Sequence, residues 1–365
     1  MKAIDYAKGL CDTMMEKFEA PDLPPVGHFH YHQGVFLSGV QAIYALCKEE
    51  KYFNYTRAWV DAMLGEDGMP KDIITTEPDD LQPGVLLFLL YEESGDEKYK
   101  KLLDQLIVWM MALKTNPLGG TWHKASLENE MWMDSMYMVG VLTSRYAEKF
   151  GNDVHRKFVH RQMELMREHA KDEKTGLYYH GWDYSKKAMW ADPVTGCSKN
   201  FWGRAIGWFA VAMFEIAKTL EKDTEEYRDY VKTGIDLIES LLKFRDEKTG
   251  MWYQVVDKGG MDGNWIETSC SCLFLYAIGL ATELGELDKE IIRPIAEHSF
   301  KGICDSLNKG DNGYIGVRNV CIGTGIDEGT YEHYIARPTV ENDLHGAGAF
   351  LLMCAKYAEI FENDN

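Results

Sequence analysis

Apolar residues recur every three to four positions along most of the chain, the spacing of a helix that buries one face. This pattern predicts twelve helices, near residues 2–18, 33–49, 51–64, 81–94, 96–113, 133–150, 152–171, 203–221, 224–244, 267–284, 287–308 and 342–361. Gly95-Asp96 and Gly151-Asn152 mark two of the breaks and suit tight links between antiparallel neighbours. Longer segments rich in Gly, Tyr, Trp and His separate the helix pairs. Short and long links in alternation predict stacked helical hairpins, and 365 residues shared among six gives about 61 each. The expected fold class is all-α, a closed ring of six hairpins with residues 1–365 as a single domain.

The chain also repeats itself. Residues 172–180 read DEKTGLYYH and residues 246–254 read DEKTGMWYQ, offset by 74, with a looser copy, GGTWH, at 119–123. Their alternating aromatics predict short hairpins along a rim. Each copy precedes a Trp-x-charged triplet that opens a long apolar helix: Trp132-Met133-Asp134, Trp202-Gly203-Arg204 and Trp265-Ile266-Glu267. Equivalent positions in a ring of repeats point to one end and one axis. Asp134, Arg204 and Glu267 are therefore expected to converge in one funnel, with Trp132, Trp202 and Trp265 nearby. A helix start, with its free N–H groups and positive dipole end, favours a carboxylate of the protein or of a ligand.

Charge narrows the choice of partner. With 39 basic and 58 acidic residues the net charge is −19, which argues against nucleic acid or an anionic membrane surface. An anionic substrate would need a local basic cluster to overcome that field. The longest apolar run, residues 85–91, falls far short of the roughly 20 residues of a membrane span. Asp5, Asp12 and Glu16 interrupt the start, so no signal peptide is read there. Eight cysteines without metal-finger spacing read as free thiols of a reducing compartment, and the location expected is cytoplasmic. There is no glycine-rich phosphate loop and no Gly-x-Ser-x-Gly elbow, so neither a nucleotide cofactor nor serine hydrolase chemistry is supported.

Several residues carry candidate chemistry. Asp134 lies among Met131, Trp132, Met133 and Tyr137, surroundings that disfavour its ionised form and suit a general acid; it also reads as a helix N-cap. Asp79 and Asp80, in EPDDLQPG, read either as carboxyls that hold each other's pKa values apart or as a capping pair. Arg204 and Trp208 share a helix face, offering a fork for a carboxylate and a flat surface for a sugar ring, or else a cation–π pair in the core. His123, Lys124 and His180 read as rim groups able to donate to anionic or hydroxyl oxygens. Glu267 reads first as an ion-pair partner for Arg204. His28, His30 and His32 would share a face if extended, as metal ligands do, but acidic or cysteine companions at ligand spacing are missing and no metal site is assigned.

The ordered set LQPGVLLFLLYEESGDEKY, GGTWHKA, MWMDSMYM, GLYYHGWD, FWGRAIGW, WIETSCS and DLHGAGAFLL resembles family 105 of the glycoside hydrolases, the unsaturated rhamnogalacturonyl hydrolases, over nearly the whole chain. The resemblance implies an (α/α)6 barrel without a cofactor. It implies removal of the 4,5-unsaturated uronic acid left at the non-reducing end when a lyase cuts rhamnogalacturonan, the pectin polymer. The partner is then a small oligosaccharide bearing that uronate, and the protein a monomer or homodimer. The resemblance puts the acid/base at Asp134 with Asp79 sharing the site, and His123, Lys124, His180, Trp202, Arg204 and Trp208 on the substrate, beside Trp132. Its chemistry is protonation of the enol ether on its C4 side and addition of water at C5. The hemiketal so formed collapses and releases the neighbouring sugar.

Two departures bear on the pocket wall: Ala205-Ile206-Gly207 follows Arg204 where a Gly-Asn pair is more usual, and Cys270 and Cys272 stand where small residues are commoner. The related family 88, with the same fold and chemistry, prefers glycosaminoglycan-derived disaccharides. A non-catalytic glycan-binding toroid is the remaining alternative.

Overall fold

The computed structural model describes residues 1–362. Each of the twelve expected helices forms, and two single-turn helices join them. In chain order they are α1 (Ala3–Lys17), α2 (Tyr31–Cys47), α3 (Glu50–Met63), α4 (Pro78–Leu81), α5 (Leu86–Ser94), α6 (Glu97–Met111), α7 (Ser135–Phe150), α8 (Asp153–His169), α9 (Gly203–Ala217), α10 (Glu225–Leu242), α11 (Thr268–Glu283), α12 (Lys289–Ser306), α13 (Tyr331–Ile335) and α14 (Leu344–Tyr357). The stretch expected at 81–94 departs most. It is split into α4, a 3-10 turn over Gln82–Val85 and α5, because Pro83 has no N–H to give an α-helical ladder.

Burial sorts the helices into two layers. Every residue of α9 and of α14 is buried, whereas α10 buries a stripe, Tyr227, Tyr230, Val231, Gly234, Leu237, Ile238 and Leu241, at helical spacing. The inner helices α2, α5, α7, α9, α11 and α14 form a ring, which α14 closes by packing on α2. Each of the first five is followed by its outer partner, α3, α6, α8, α10 and α12, packed against it. The sixth outer position belongs to α1, which lies on α14 with its Ala3 N–H donating to Glu362. Helices α14 and α1 thus complete one hairpin of an (α/α)6 toroid.

Backbone proximity at the closure requires glycine. A Cβ on Gly348 of α14 would lie 2.5 Å from the Val35 carbonyl of α2, well inside contact distance. The expected tight links form as left-handed glycines, Gly95 and Gly151, followed by capping Asp96 and Asn152.

The repeated segments fold alike. Asp172 accepts hydrogen bonds from the Thr175 N–H and hydroxyl, and Asp246 does the same with Thr249. Both make tight turns, with Lys171 bridged to Tyr178 across the first and the Asp246 N–H donating to the Met251 carbonyl across the second, where hairpins were expected. The rim also carries a short antiparallel ladder of β1 (Glu130–Trp132) and β2 (Gly181–Asp183), Met131 opposite Trp182. This ladder sets the segment entering α7 against the His180 segment. Among the described residues, no helix is long and apolar enough to cross a membrane.

Candidate active site

A cavity of about 580 Å³ opens where the inner helices begin. Its wall includes His30, Tyr31 and His32 at the start of α2, Asp79 in α4, Asp134 before α7, and Trp202, Arg204 and Trp208 of α9. His123, Lys124, Trp132 and residues 323–325 complete much of the rest.

Asp134 occupies the N-cap position of α7 yet caps nothing: its side chain accepts no hydrogen bond from the first turn. One carboxyl oxygen, Oδ1, is buried without a hydrogen-bond partner, and His180 Nε2 stands 3.8 Å from it. Burial pushes this carboxyl up to about 6, against the pull of Arg204 and Lys124. Asp79 also has a buried, unpartnered Oδ1. It is pushed well above the carboxylate range by burial first and then by the charge of Asp134. Asp79, Asp134 and His123 each offer an atom within 4.8 Å of the others. The two carboxyls therefore form a close pair whose environment favours protonation.

The acidic pair read from EPDDLQPG divides its work. Asp79 faces the cavity, whereas Asp80 accepts from the Ile74 N–H and pairs with His28 Nε2 at 3.0 Å, holding the preceding loop. His123 stacks on Trp132, with centroids 4.1 Å apart, and its Nδ1 is 2.7 Å from the Ser135 hydroxyl. Burial lowers it to about 3, so it is a neutral ring. Lys124 reaches Glu77 at 3.3 Å and remains partly exposed at the cavity mouth.

Arg204 and Trp208 share a cavity-facing side of α9, as their spacing predicts. The guanidinium donates to the carbonyls of Cys321 and Ile322, at 2.6 and 2.7 Å, and lies over the Trp202 ring. It is almost fully buried. No carboxylate pairs with it directly among the described residues, so its charge is available to an anionic ligand.

Three expectations need correction. Glu267 is not the ion-pair partner of Arg204: it caps α11, accepting from the Cys270 N–H and the Ser269 hydroxyl, and also holds the Cys321 N–H. Its neighbour Trp265 donates to the Ile335 carbonyl, and neither lines the cavity. His180 is no rim group. It is wholly buried behind Asp134, neutralised by burial, with Nδ1 2.8 Å from the Tyr334 hydroxyl. The histidines 28, 30 and 32 do not share one strand face, since His30 is the extended N-cap of α2 and His32 already lies in its first turn.

Sequence reasoning missed Tyr31 and the 323–325 wall. Tyr31 sits inside the histidine cluster, where attention went to metal ligands; its phenol is raised by burial and by Asp79. The 323–325 wall is Gly-Thr-Gly, with no repeat partner to signal it.

Comparison with known proteins gives this geometry a family. The family model described as Glycosyl Hydrolase Family 88 matches residues 6–361. A family 105 glycoside hydrolase of C. acetobutylicum ATCC 824 superposes with a TM-score of 0.92 at 30% identity, covering 97% of this chain and 99% of that one. The unsaturated rhamnogalacturonyl hydrolase YesR of Bacillus subtilis (strain 168) is 25% identical over 299 residues, 80% of this chain and 79% of its own. An unsaturated glucuronyl hydrolase of Bacillus sp. GL1, responsible for the degradation of glycosaminoglycan, has the same fold, with a TM-score of 0.73 at 15% identity over 99% and 97% of the two chains. A toroid with paired carboxyls in a pocket at the helix starts is thus a glycoside hydrolase. The chain belongs to Glycosyl Hydrolase Family 88 as that family model is drawn, and within it to the family 105 enzymes.

Proposed function

We propose that the chain removes the 4,5-unsaturated uronic acid from the non-reducing end of rhamnogalacturonan oligosaccharides produced by a lyase. The observation that carries the reading is the Asp134 carboxyl, with an unpartnered buried oxygen and a pKa near 6, in one cavity with Asp79 and Arg204. Protonated Asp134 delivers its proton to C4 of the enol ether. The oxocarbenium centre left at C5 takes a water oxygen, and the Asp134 carboxylate removes the water's proton, so the acid is restored. The hemiketal opens to a C5 ketone, and the hemiacetal exposed at C1 expels the neighbouring sugar.

Arg204 holds the uronate carboxylate next to the developing positive centre, against the net charge of −19. Trp202, Trp208 and Trp132 with its stacked His123 supply flat apolar faces for the sugar rings, and Lys124 stands at the mouth. Asp79 keeps the pair's second proton, and His180 backs Asp134.

An ordinary displacement at the anomeric carbon fits less well. An inverting pair needs carboxyls about 6.5–9.5 Å apart, and a retaining pair needs an ionised nucleophile. Here the carboxyl atoms approach within 4.8 Å and both groups are driven toward neutrality. Identity with YesR favours rhamnogalacturonan over glycosaminoglycan products. All eight cysteines are unpaired, which suits a cytoplasmic enzyme working as one domain.

The test is turnover of lyase-made disaccharides with rhamnose, galacturonate, glucosamine or galactosamine as leaving sugar, followed by loss of the ultraviolet absorbance of the conjugated double bond. The rhamnose-linked compound should react fastest, and Asp134→Asn should abolish the reaction. Full activity in that variant, or turnover of saturated oligosaccharides alone, defeats the reading.

A further inference from the structure

The histidines near the start of α2 are not used by this chemistry. The companions they lack in local sequence come from the start of α14. Asp343 and His345 approach His32 so that one ligand atom of each residue lies within 4.8 Å of the others. We propose that His32, Asp343 and His345 bind one divalent transition-metal ion, of which Zn²⁺ fits the donor set, on the cavity wall.

The hydrogen bonds assign the ring tautomers. His345 Nε2 is 2.9 Å from the Cys321 carbonyl oxygen, which only an N–H can satisfy. A neutral ring protonated there presents a lone pair at Nδ1. That atom is buried, stands 3.0 Å from Asp343 Oδ1 and makes no hydrogen bond of acceptable geometry with it. In the imidazolium form a proton bridges this contact to the carboxylate, and in the neutral form a shared metal ion takes its place.

His32 reaches the same state by another route. His30 Nδ1 accepts from the His32 backbone N–H, so in the 2.9 Å contact between the two Nδ1 atoms His32 is the donor. Its Nε2 then carries the free lone pair. Two imidazole nitrogens and one carboxylate are a familiar Zn²⁺ set that leaves a coordination position open. His32 lines the cavity, so that position lies toward the ligand space.

Closing the set needs little movement. Atoms bound at about 2.0–2.2 Å around a tetrahedral ion are roughly 3.3 Å apart. The His345–Asp343 contact is already near that value. His32 is only half-buried and supplies the remaining shift. Arg204, which shares the Cys321 carbonyl with His345, opposes a cation there and weakens its binding.

Asp79, His123 and Asp134 form a second cluster of similar dimensions, and the experiment separates the two. Full-length protein stripped with a chelator and dialysed is titrated calorimetrically with ZnCl₂, and its zinc content is measured after gel filtration. Wild type and Asp134→Asn should each bind one ion, and His32→Gln and His345→Gln should bind at least tenfold more weakly. Circular dichroism checks the fold of each variant. If buried His345 does not tolerate replacement, His32→Gln, on the wall, decides. No binding by wild type at about 100 μM Zn²⁺, unchanged binding by His32→Gln, or loss of binding in Asp134→Asn overturns the proposal.

Discussion

At the scale of single residues, the cost of the site is concentrated in Asp134. Burial without a capping bond pushes its carboxyl up to about 6 from its ordinary 3.8, against the pull of Arg204 and Lys124. A group whose folded pKa exceeds its unfolded one is tolerated below the unfolded value and opposes folding as pH rises through the folded value. Asp134→Asn should therefore stabilise the protein by on the order of 3 kcal/mol at pH 7 and have little such effect near pH 4, as urea unfolding at the two pH values will show. The same protonation governs turnover: kcat should fall as pH rises above about 6, where Asp134 loses its proton. Asp79 behaves differently. Burial and the charge of Asp134 push it well above the carboxylate range, so Asp79→Asn resembles its protonated form electrostatically. It should lower kcat while leaving the limb near 6 in place, which a pH–rate profile of the variant measures.

At the scale of elements, the start of α11 acts as a bracket. Glu267 takes the Cys270 and Cys321 N–H groups and the Ser269 hydroxyl, and the Cys321 and Ile322 carbonyls in turn aim Arg204. Glu267→Ala strands buried donors that cost about 1–3 kcal/mol each. It should lower stability by more than about 2 kcal/mol and raise KM more than it lowers kcat, measured by denaturant unfolding and steady-state kinetics. This bracket shows where sequence reading stops. The helices were legible because apolar spacing is local, and Asp134 and Arg204 were legible because the Trp-x-charged triplet recurs. Glu267 shares that triplet, but its partner Cys321 lies on a distant strand that no periodicity announces. His180 likewise matches the repeat position of the rim, and Tyr334 on α13 joins Trp132 and Trp202 in sealing it inside. Asp343 and His345 meet His32 solely because the ring closes.

At the scale of the molecule, a net charge of −19 repels the anion that Arg204 is placed to receive. Added salt screens the long-range repulsion at a Debye length of about 10 Å at 0.1 M, while the buried Arg204 contact is screened less. KM for a uronate-bearing substrate should therefore fall as ionic strength rises from low values, with kcat little changed, in initial-rate measurements across a salt series. The closure of the ring by α1 and α14 has a consequence for synthesis. While the ribosome is still translating, α2 has been made but the helix that packs against it has not, and a strip of apolar surface stays wet until α14 follows it out. Sealing is a late, long-range step, and a nascent chain stalled short of α14 would carry its acidic pair in an unfinished vessel, offering that strip to chaperones or to other unfinished copies.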